Sequence, residues 1–540
     1  MMKRKNMLFA AFIAIVLPLW ACTPEEDLVD KPAEENQFTT DVEDKLNYSV
    51  KGTVSCDGVP VPGVVVCDGL HFATTDFDGR YWLKSTAAED IVWVSIPSGY
   101  EVSVEKGWEP KFWYNLDHKA ISEGKVQQFD FELKKVDNDN FRLMVLTDIH
   151  IRGRHESIGE QVIDSIQFIR DVRPAIQQWC ADHSGEKIYG LVLGDMVQDS
   201  YIARYGAGLP QYKSLLRGLG LTLFHIPGNH EYETGNFGEV QTDPEGRNIR
   251  GYYRKNLGPT YYSFNLGKVH FVMLDGTRMN GPSSSKYDDE ISPRQLEWLQ
   301  GDLLRAFDSR KALVPEKLVI CCHQPFFDNT TKTGSVSGCI TNRKDVMKIV
   351  SGCNIKEVTI FSGHTHLTDI VNNLSMNSVR IDQYTHSALC GAFWIQRYNW
   401  DDSPNGWAEY EFKGSEFTRR QRGFDPEYDA QAIFYKDDLG DTDGADTLYI
   451  NVPAYEKDWS VKVQKGKEMA VELQPVQMNA PRYTKFYNEN KNIYTGSHNI
   501  KPRKVWHFFT YVLPDPEADY TMVVTAPDGT RYTDEYIPNF

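Results

Sequence analysis

Five short stretches of the sequence combine carboxylate, imidazole and carboxamide side chains. Seven of these residues are candidate metal ligands: Asp148, His150, Asp195, Asn229, His323, His364 and His366. Carboxylates and imidazoles together suit borderline divalent metals such as Mn, Fe, Zn, Co or Ni. One metal does not need so many ligands, and a carboxylate can bridge. The set therefore predicts two divalent metal ions that share one aspartate and leave positions open for solvent and substrate.

Each stretch directly follows an apolar run that is typical of a buried strand. The runs are Phe141 to Thr147, Ile188 to Leu193, Leu221 to Ile226, Lys317 to Cys322 and Glu357 to Phe361. Helical patterns alternate with them, and one helix is predicted over Pro293 to Ala306 with Ser292 before its first residue. This alternation of strands and helices predicts a layered α/β domain with central sheets. Side chains at the carboxyl ends of such strands are expected to meet at one edge.

The same five stretches, in order, resemble the signature of the calcineurin-like metallophosphoesterases. The signature reads Asp-x-His, Gly-Asp-x-x-x-Asp, Gly-Asn-His-(Asp/Glu), His and Gly-His-x-His, and the resemblance covers about Phe141 to Asp369. It implies a layered metallophosphoesterase β-sandwich flanked by helices. It also implies an enzyme that hydrolyses phosphate monoesters or diesters with a metal-bridging hydroxide.

The resemblance implies a role for each matching residue. Asp148, His150 and His366 would hold the first metal, and Asn229, His323 and His364 would hold the second. Asp195 would bridge the two metals. His230 would lie near the leaving group as a general acid or transition-state donor, and Asp199 would orient His230 or a ligand imidazole.

Other residues near the signature are weaker candidates. Arg152 and Arg154 follow the first stretch and would grip a phosphate, or else they are solvated loop residues. Glu231 follows His230 and is expected to support the ligands.

The N-terminus predicts export. Lys3, Arg4 and Lys5 precede an apolar stretch, and Leu19-Trp20-Ala21-Cys22 resembles the lipobox of bacterial lipoproteins. The resemblance implies a lipidated Cys22 and an enzyme anchored in a bacterial cell envelope, on the outer membrane and facing the periplasm or the surface. The alternative is an ordinary cleaved signal with Cys22 as a spare cysteine.

Composition limits the partners. The 540 residues carry a formal net charge of −17, which argues against a broad nucleic-acid-binding surface. The expected substrate is a phosphorylated small molecule, lipid or glycan. Eight cysteines besides Cys22 would lie in an oxidising compartment, and Cys56 and Cys67 are one possible pair among several. The oligomeric state is left open.

The chain divides into five segments by pattern. They are a signal peptide at 1–21, an acidic linker at 22–45, an N-terminal β-sandwich at 46–136, a catalytic domain at 140–380 and a C-terminal β-rich domain at 381–540. The N-terminal β segment resembles small transthyretin-like or carboxypeptidase-regulatory-like sandwiches. Two alternatives stay open: a pyrophosphatase or phospholipid head-group hydrolase on the same site, or a glycan-binding surface lipoprotein with vestigial catalysis.

Overall fold

The structure is a computed structural model. It describes residues 40–86, 90–152, 164–198, 208–232, 247–281, 285–310, 313–328, 339–426, 430–435, 446–492 and 501–538. None of the helices among these residues is long and apolar enough to cross a bilayer.

The N-terminal domain is built from two larger β-sheets and a two-stranded sheet. Its strands are β1 (Val50–Cys56), β2 (Val59–Pro60), β3 (Val65–Cys67), β4 (Phe72–Thr74), β5 (Arg80–Leu83), β6 (Ile91–Ser95), β7 (Tyr100–Val102), β8 (Val104–Glu105), β9 (Glu109–Pro110), β10 (Trp113–Asn115), β11 (Gln127–Gln128) and β12 (Phe131–Lys135). One larger sheet has the order β11-β1-β12-β7, with β2 and β5 also paired to β1, the other has the order β10-β6-β3-β4, and β8 and β9 form the two-stranded sheet. One short helix, His118–Ser122, interrupts the β pattern. The predicted β-rich N-terminal domain is confirmed.

The catalytic domain contains two mixed sheets that pack on one core. Its strands are β13 (Asn140–Leu146), β14 (Ile188–Leu193), β15 (Thr222–Ile226), β16 (Tyr262–Leu266), β17 (Val269–Leu274), β18 (Thr277–Met279), β19 (Tyr287–Asp289), β20 (Lys317–Cys322), β21 (Glu357–Ser362), β22 (Asp369–Met376), β23 (Val379–Thr385), β24 (Gly406–Lys413) and β25 (Glu416–Gly423). The sheet orders are β15-β14-β13-β24-β25 and β16-β17-β20-β21-β23-β22. Phe141 and Phe271, one from each sheet, both pack on Phe412. The predicted layered α/β architecture is confirmed.

Helices flank these sheets. They are Asp164–Gln167, Arg173–Asp182, Leu209–Leu216, Arg247–Leu257, Pro293–Ala306 and Arg343–Gly352, and a π-helical turn at Phe168–Val172 joins the first two. The helix Pro293–Ala306 begins as predicted, because the Ser292 side chain accepts a hydrogen bond from the Gln295 N–H and Pro293 needs no donor in the first turn.

The first catalytic sheet extends beyond residue 380. Strand β24 pairs antiparallel with β13, from Asn140↔Lys413 to Val145↔Ala408, and β25 pairs with β24 along its whole length. The predicted boundary at residue 380 therefore does not coincide with the edge of this sheet. The reason is that the chain leaves the second catalytic sheet after β23, forms an irregular segment over 386–405, and then adds β24 to the open edge of β13 in the first sheet.

The C-terminal domain adds two four-stranded sheets around a separate core. Its strands are β26 (Ile433–Tyr435), β27 (Thr447–Asn451), β28 (Ser460–Lys465), β29 (Val471–Glu472), β30 (Val476–Asn479), β31 (Lys504–Val512), β32 (Tyr520–Thr525) and β33 (Arg531–Tyr536). The sheet orders are β26-β27-β31-β30 and β29-β28-β32-β33. Ile450, Val461, Phe509 and Met522 form part of the core between them. One helix, Pro481–Asn490, follows β30, and its buried Tyr483 lies in a core shared with the catalytic domain. The predicted β-rich C-terminal domain is confirmed.

The cysteines of the described chain carry no disulfide. Cys56 and Cys67 are both free thiols, as are the six other cysteines that the structure describes.

A buried ion pair ties the strand pairs of the first catalytic sheet together, and it yields a testable prediction. The Glu409 carboxylate on β24 binds Arg142 on β13 and Arg422 on β25, each at 2.8 Å. Its side chain is only 4% exposed. Removing one partner of a buried pair leaves the other charges uncompensated, so Glu409→Gln should lower the free energy of unfolding by about 2–3 kcal/mol. Chemical denaturation followed by circular dichroism measures this.

The stability that the Glu409 carboxylate contributes should change with pH in a defined direction. Burial would raise the pKa of Glu409, but the Arg422 and Arg142 guanidiniums hold it below its usual value. Its stabilisation is therefore present above the unfolded pKa of about 4.3 and disappears as the pH falls below it. Glu416→Gln, in an 86% exposed side chain, is the control and should change stability by less than about 0.5 kcal/mol. Equal losses in both variants would contradict the assignment.

Candidate metal centre

The loops that follow five parallel strands carry the predicted ligands. Asp148 and His150 follow β13, Asp195 follows β14, Asn229 and His230 follow β15, His323 follows β20, and His364 and His366 follow β21. Backbone hydrogen bonds continue the β13–β14 pairing into these loops, from Asp148 N–H to Gly194 O at 3.1 Å and from His150 N–H to Asp195 O at 2.9 Å. The loops are therefore held as rigidly as the strands that precede them.

Most of the ligand residues have a left-handed backbone. The φ angles are 51° at Asp148, 49° at His150, 51° at Asp195, 70° at His364 and 53° at His366. This conformation is uncommon for residues other than glycine and costs of order 1 kcal/mol or more at each position. Such a concentration of unfavourable backbone conformations is typical of sites where function sets the side-chain direction.

A first group of three side chains converges on the Asp148 carboxylate. Asp148 Oδ1 lies 3.2 Å from His366 Nε2 and 3.7 Å from His150 Nε2. The two imidazole Nε2 atoms lie 3.1 Å apart. The other carboxylate oxygen, Oδ2, accepts hydrogen bonds from the Thr147 hydroxyl and the His364 N–H, which fixes the orientation of the carboxylate.

A second group converges on Asp195. Asp195 Oδ2 lies 3.1 Å from His323 Nε2, and His323 Nε2 lies 3.2 Å from His364 Nδ1. The same oxygen is 3.7 Å from His150 Nε2 in the first group. Asp195 thus faces both groups, as the bridging role requires. Asn229 is buried in the same loop as His230.

The donor set fits divalent metal ions. Asp148, His150 and His366 form one cluster whose ligand atoms all lie within 4.8 Å, and Asp195, His323 and His364 form another. Asp148 Oδ1 is buried and has no hydrogen-bond partner among the described residues, although it points at two imidazoles. A buried carboxylate oxygen without a donor is costly, and a cation at this position would satisfy it.

The pKa shifts of Asp148, His150 and His364 suit metal binding. Burial would raise the pKa of Asp148, but the imidazoles of His366 and His150 hold it well below its usual range. Burial lowers the pKa of His150 to about 4 and, with His323 nearby, the pKa of His364 to about 3. Ionised carboxylates and neutral imidazoles are the forms that bind metals. In contrast, burial would lower the pKa of His323 but the Asp195 carboxylate raises it to about 10, so this imidazole would lose a proton on binding a metal.

A buried glutamate organises the loops that carry Asp195 and Asn229. The Glu231 carboxylate accepts hydrogen bonds from the N–H groups of Asp195 at 2.8 Å, Gly228 at 2.7 Å and Val197 at 3.2 Å. A Cβ at Gly228 would lie 2.2 Å from Asp195 Oδ1, so only glycine permits this approach. Glu231 therefore supports the ligands, as the sequence predicted.

The second group has hydrogen-bonded support that the sequence did not reveal. His323 Nδ1 pairs with Leu193 O at 2.7 Å, and His364 Nε2 pairs with the Tyr287 hydroxyl at 3.1 Å. Such partners fix the ring orientation and leave the other nitrogen for the metal. Tyr287 lies on the short strand β19, where one tyrosine among polar residues gives no signal in the sequence.

Aromatic rings from the irregular segment after β23 pack on the first group. Trp400 stacks on His366 with ring centroids 4.5 Å apart and planes 7° apart. Phe393 lies 5.0 Å from the His366 ring and 5.2 Å from the His150 ring. These residues were also missed from the sequence, because aromatic side chains outside a periodic element are not distinguishable from ordinary core residues.

The structure describes His230 and Arg152 but not the other remaining predicted site residues. His230 Nε2 lies 3.9 Å from Asp195 Oδ2, and its Nδ1 contacts Gln198 O. Arg152 is half-buried, and its backbone N–H donates to Asp164. Its phosphate-binding role stays a prediction. Asp199, Arg154 and Cys22 lie outside the described residues.

Three family models match the chain. Residues 141–367 match the model described as Calcineurin-like phosphoesterase. Residues 48–136 match the one described as N terminal of Calcineurin-like phosphoesterase, and residues 383–533 match the C terminal of the same group. Together the three matches span most of the described chain.

Individual relatives are distant. Purple acid phosphatase 15 of Arabidopsis thaliana is 27% identical over 161 residues, which are 28% of this chain and 26% of that protein. The chain thus spans about a quarter of the length of this curated relative. The 5'-nucleotidase of Candida albicans is similar in structure with 12% identity and a TM-score of 0.32, covering 54% of this chain and 52% of that one. A purple acid phosphatase from yellow lupin (Lupinus luteus) seeds gives 12% identity and a TM-score of 0.35, over 65% and 56%. The site residues are therefore assigned from the geometry of this chain.

The Tyr287 contact yields a prediction. Tyr287→Phe removes only the hydroxyl that faces His364 Nε2, so metal affinity at the second group should fall by about ten- to a hundredfold. Metal content measured by elemental analysis after dialysis against a graded chelator tests this. Tyr81→Phe removes a hydroxyl that binds Phe129 O in the N-terminal domain and serves as the control. A loss of metal in the control equal to that in Tyr287→Phe would contradict the assigned role.

Proposed function

The chain belongs to the calcineurin-like phosphoesterases, as its sequence signature indicated, and on this premise we propose that it is a metal-dependent hydrolase of phosphate esters. One observation supports the proposal above all: Asp195 Oδ2 faces imidazoles of both ligand groups, at 3.1 Å from His323 and 3.7 Å from His150. A carboxylate so placed is able to join two cations in one centre. The proposed substrates are phosphate monoesters or diesters.

The two groups give each cation its own ligands. Asp148, His150 and His366 would hold the first metal, and Asn229, His323 and His364 would hold the second. Asp195 would contact both. The carboxylates and imidazoles suit Mn, Fe, Zn, Co or Ni, since borderline divalent metals accept both ligand types.

The metals would supply Lewis-acid polarisation of the phosphate and acidification of water. The chain supplies the geometry in which this chemistry works. Rigid loops hold the ligands before substrate arrives, so little reorganisation is needed during the reaction.

His230 is placed to move a proton. Its Nδ1 contacts the Gln198 carbonyl oxygen, so Nδ1 carries a hydrogen and Nε2 faces the shared carboxylate. Its side chain is 16% exposed, so the ring is not fully enclosed. In the protonated form, Nε2–H would donate to the leaving oxygen, and general acid catalysis of this kind contributes roughly a hundred- to ten-thousandfold.

We also propose a location for the enzyme. The basic start, the apolar stretch and the Leu19-Trp20-Ala21-Cys22 sequence support export and lipidation at Cys22 in a bacterial cell envelope. A phosphorylated small molecule, lipid or glycan would then be the substrate that meets the enzyme there.

Substitution of the shared carboxylate tests the proposed centre. Asp195→Asn should reduce hydrolysis of p-nitrophenyl phosphate and of bis-p-nitrophenyl phosphate by at least about a hundredfold with Mn²⁺ added, and should reduce the metal content. Asp68→Asn, at a fully buried aspartate of the N-terminal domain, is the matched control and should keep both. Full activity in Asp195→Asn would overturn the site assignment. The ratio of the two wild-type rates would separate monoester from diester preference.

The proton-donating role of His230 makes a separate prediction. His230→Ala should retain both metals but slow turnover by about a hundredfold or more. The loss should be larger for an alkyl phosphate than for p-nitrophenyl phosphate, because a poor leaving group depends more on the donated proton. His118→Ala, at a half-exposed histidine of the N-terminal domain, is the control. Equal losses for both leaving groups would argue against proton donation, and loss of metal would make His230 a ligand.

A further inference from the structure

The imidazoles of the two ligand groups are held by different means. In the second group, His323 and His364 each have a hydrogen-bond partner on the nitrogen that does not face the other ligands. In the first group, Nδ1 of His150 and Nδ1 of His366 are buried and have no hydrogen-bond partner in the described part of the chain. Among the described residues, the first group therefore has no hydrogen-bonded support of the kind that usually orients a metal-binding histidine.

Instead of such hydrogen bonds, the first group has three aromatic side chains packed around it. We call Phe393, Trp394 and Trp400 the aromatic cover. Trp400 lies flat on His366, Phe393 contacts both His366 and His150, and the Trp394 indole donates to Ile149 O between Asp148 and His150. All three are buried. Stacking restricts the rotation of an imidazole but does not raise its basicity.

The cover is held in an unfavourable backbone conformation. Phe393 and Trp394 have φ angles of 50° and 66°, which bulky residues rarely adopt. Backbone hydrogen bonds maintain the turn, from Trp394 N–H to Cys390 O at 2.7 Å and from Leu389 N–H to Thr147 O at 2.9 Å. The second of these joins the cover to the loop that carries Asp148. Strain of this kind persists only where surrounding contacts fix it.

Two buried aspartates connect the cover to the C-terminal domain. The Asp401 carboxylate accepts from Thr368 N–H at 2.6 Å and lies 3.3 Å from His507 Nε2 on β31, while its carbonyl accepts from the Asn451 amide on β27 at 2.9 Å. The neighbouring Asp402 contacts a different part of the domain.

Asp402 acts as a cap for the C-terminal helix. Its carboxylate accepts the N–H groups of Arg482 and Tyr483, in the first turn of the helix Pro481–Asn490, and the Tyr435 hydroxyl, each at 2.9 Å. These N–H groups have no partner within the helix, so a carboxylate there is favourable. Asp401 and Asp402 directly follow Trp400, so their hydrogen bonds to the C-terminal domain fix the backbone next to the Trp400 ring.

We propose that the C-terminal domain positions the ligands of the first metal through the aromatic cover, and that the first metal is the weaker and more exchangeable of the two. This inference rests on the proposed function, since it assumes two bound metals. Trp400 and Phe393 are positioning residues that act through His366 and His150. The second metal depends instead on the hydrogen bonds of Tyr287 and Leu193, which also raise the basicity of its imidazoles.

The test follows metal release from the full chain loaded with Mn²⁺. Metal content is measured by elemental analysis over a range of chelator concentrations. Wild type should release its two metals in separate steps. Trp400→Leu should move the first step to a chelator concentration about ten- to a hundredfold lower and leave the second step unchanged. Trp400→Phe keeps a ring on His366 and should behave like wild type.

Tyr287→Phe assigns the steps, because it should move only the second. The proposal is overturned if Trp400→Leu moves both steps or neither, if Trp400→Phe is as impaired as Trp400→Leu, or if Tyr287→Phe moves the first step. A wild-type protein that binds no Mn²⁺ would instead refute the proposed function. The two failures are therefore distinguishable.

Two further variants distinguish the positioning of the first metal's ligands from a general destabilisation of the C-terminal domain. Asp402→Asn alters the support of the cover without contacting a ligand, and it should move the first step in the same direction. It also replaces Trp400→Leu in the test if that variant does not fold. Trp459→Leu removes a buried ring from the separate core of the C-terminal domain and should leave both steps in place. A shift in Trp459→Leu equal to that in Asp402→Asn would overturn the proposal.

Discussion

The structure depends on keeping two buried carboxylates next to four buried or nearly buried imidazoles. Charged groups removed from water are costly unless partners compensate them. Asp148 and Asp195 obtain part of this compensation from backbone and hydroxyl donors, including the N–H of His364 and the N–H of His230. A bound cation would supply the rest of this compensation. The parallel strands, the left-handed residues and the glycine at 228 are all needed to bring these groups within a few ångströms.

The outer domains are part of this arrangement. Strand β24 closes the sheet edge at β13, and the segment before it delivers the aromatic cover. On the other side, Ser95 of the N-terminal domain contacts Ser263, which donates to the buried Asp302. His270 lies 2.9 Å from the same carboxylate. Polar contacts that involve buried groups thus connect the N-terminal domain to the second catalytic sheet.

The sequence predicted that these side chains converge because each follows a strand, and the carboxyl ends of parallel strands are forced to one edge of a sheet. The helix after Ser292 was also predictable, since its cap and its proline are local signals. The pairing of β24 with β13 was not, because an antiparallel partner 260 or more residues away leaves no local trace. The roles of Tyr287 and Trp400 were not predicted from the sequence for a related reason. Their contacts with His364 and His366 depend on tertiary position alone.

The position of His230 links its imidazole to the Asp195 carboxylate. Its backbone N–H donates to Asp195 Oδ1 at 3.0 Å, while its ring stands edge-on to His150 at 4.9 Å. One residue therefore both orients the shared carboxylate and presents an imidazole beside it. Since Oδ1 is engaged by this N–H, Oδ2 is the oxygen that faces His323 and His150. A change in the His230 backbone would disturb the proposed metal bridging and the proposed proton donation together, whereas a change confined to its ring separates them.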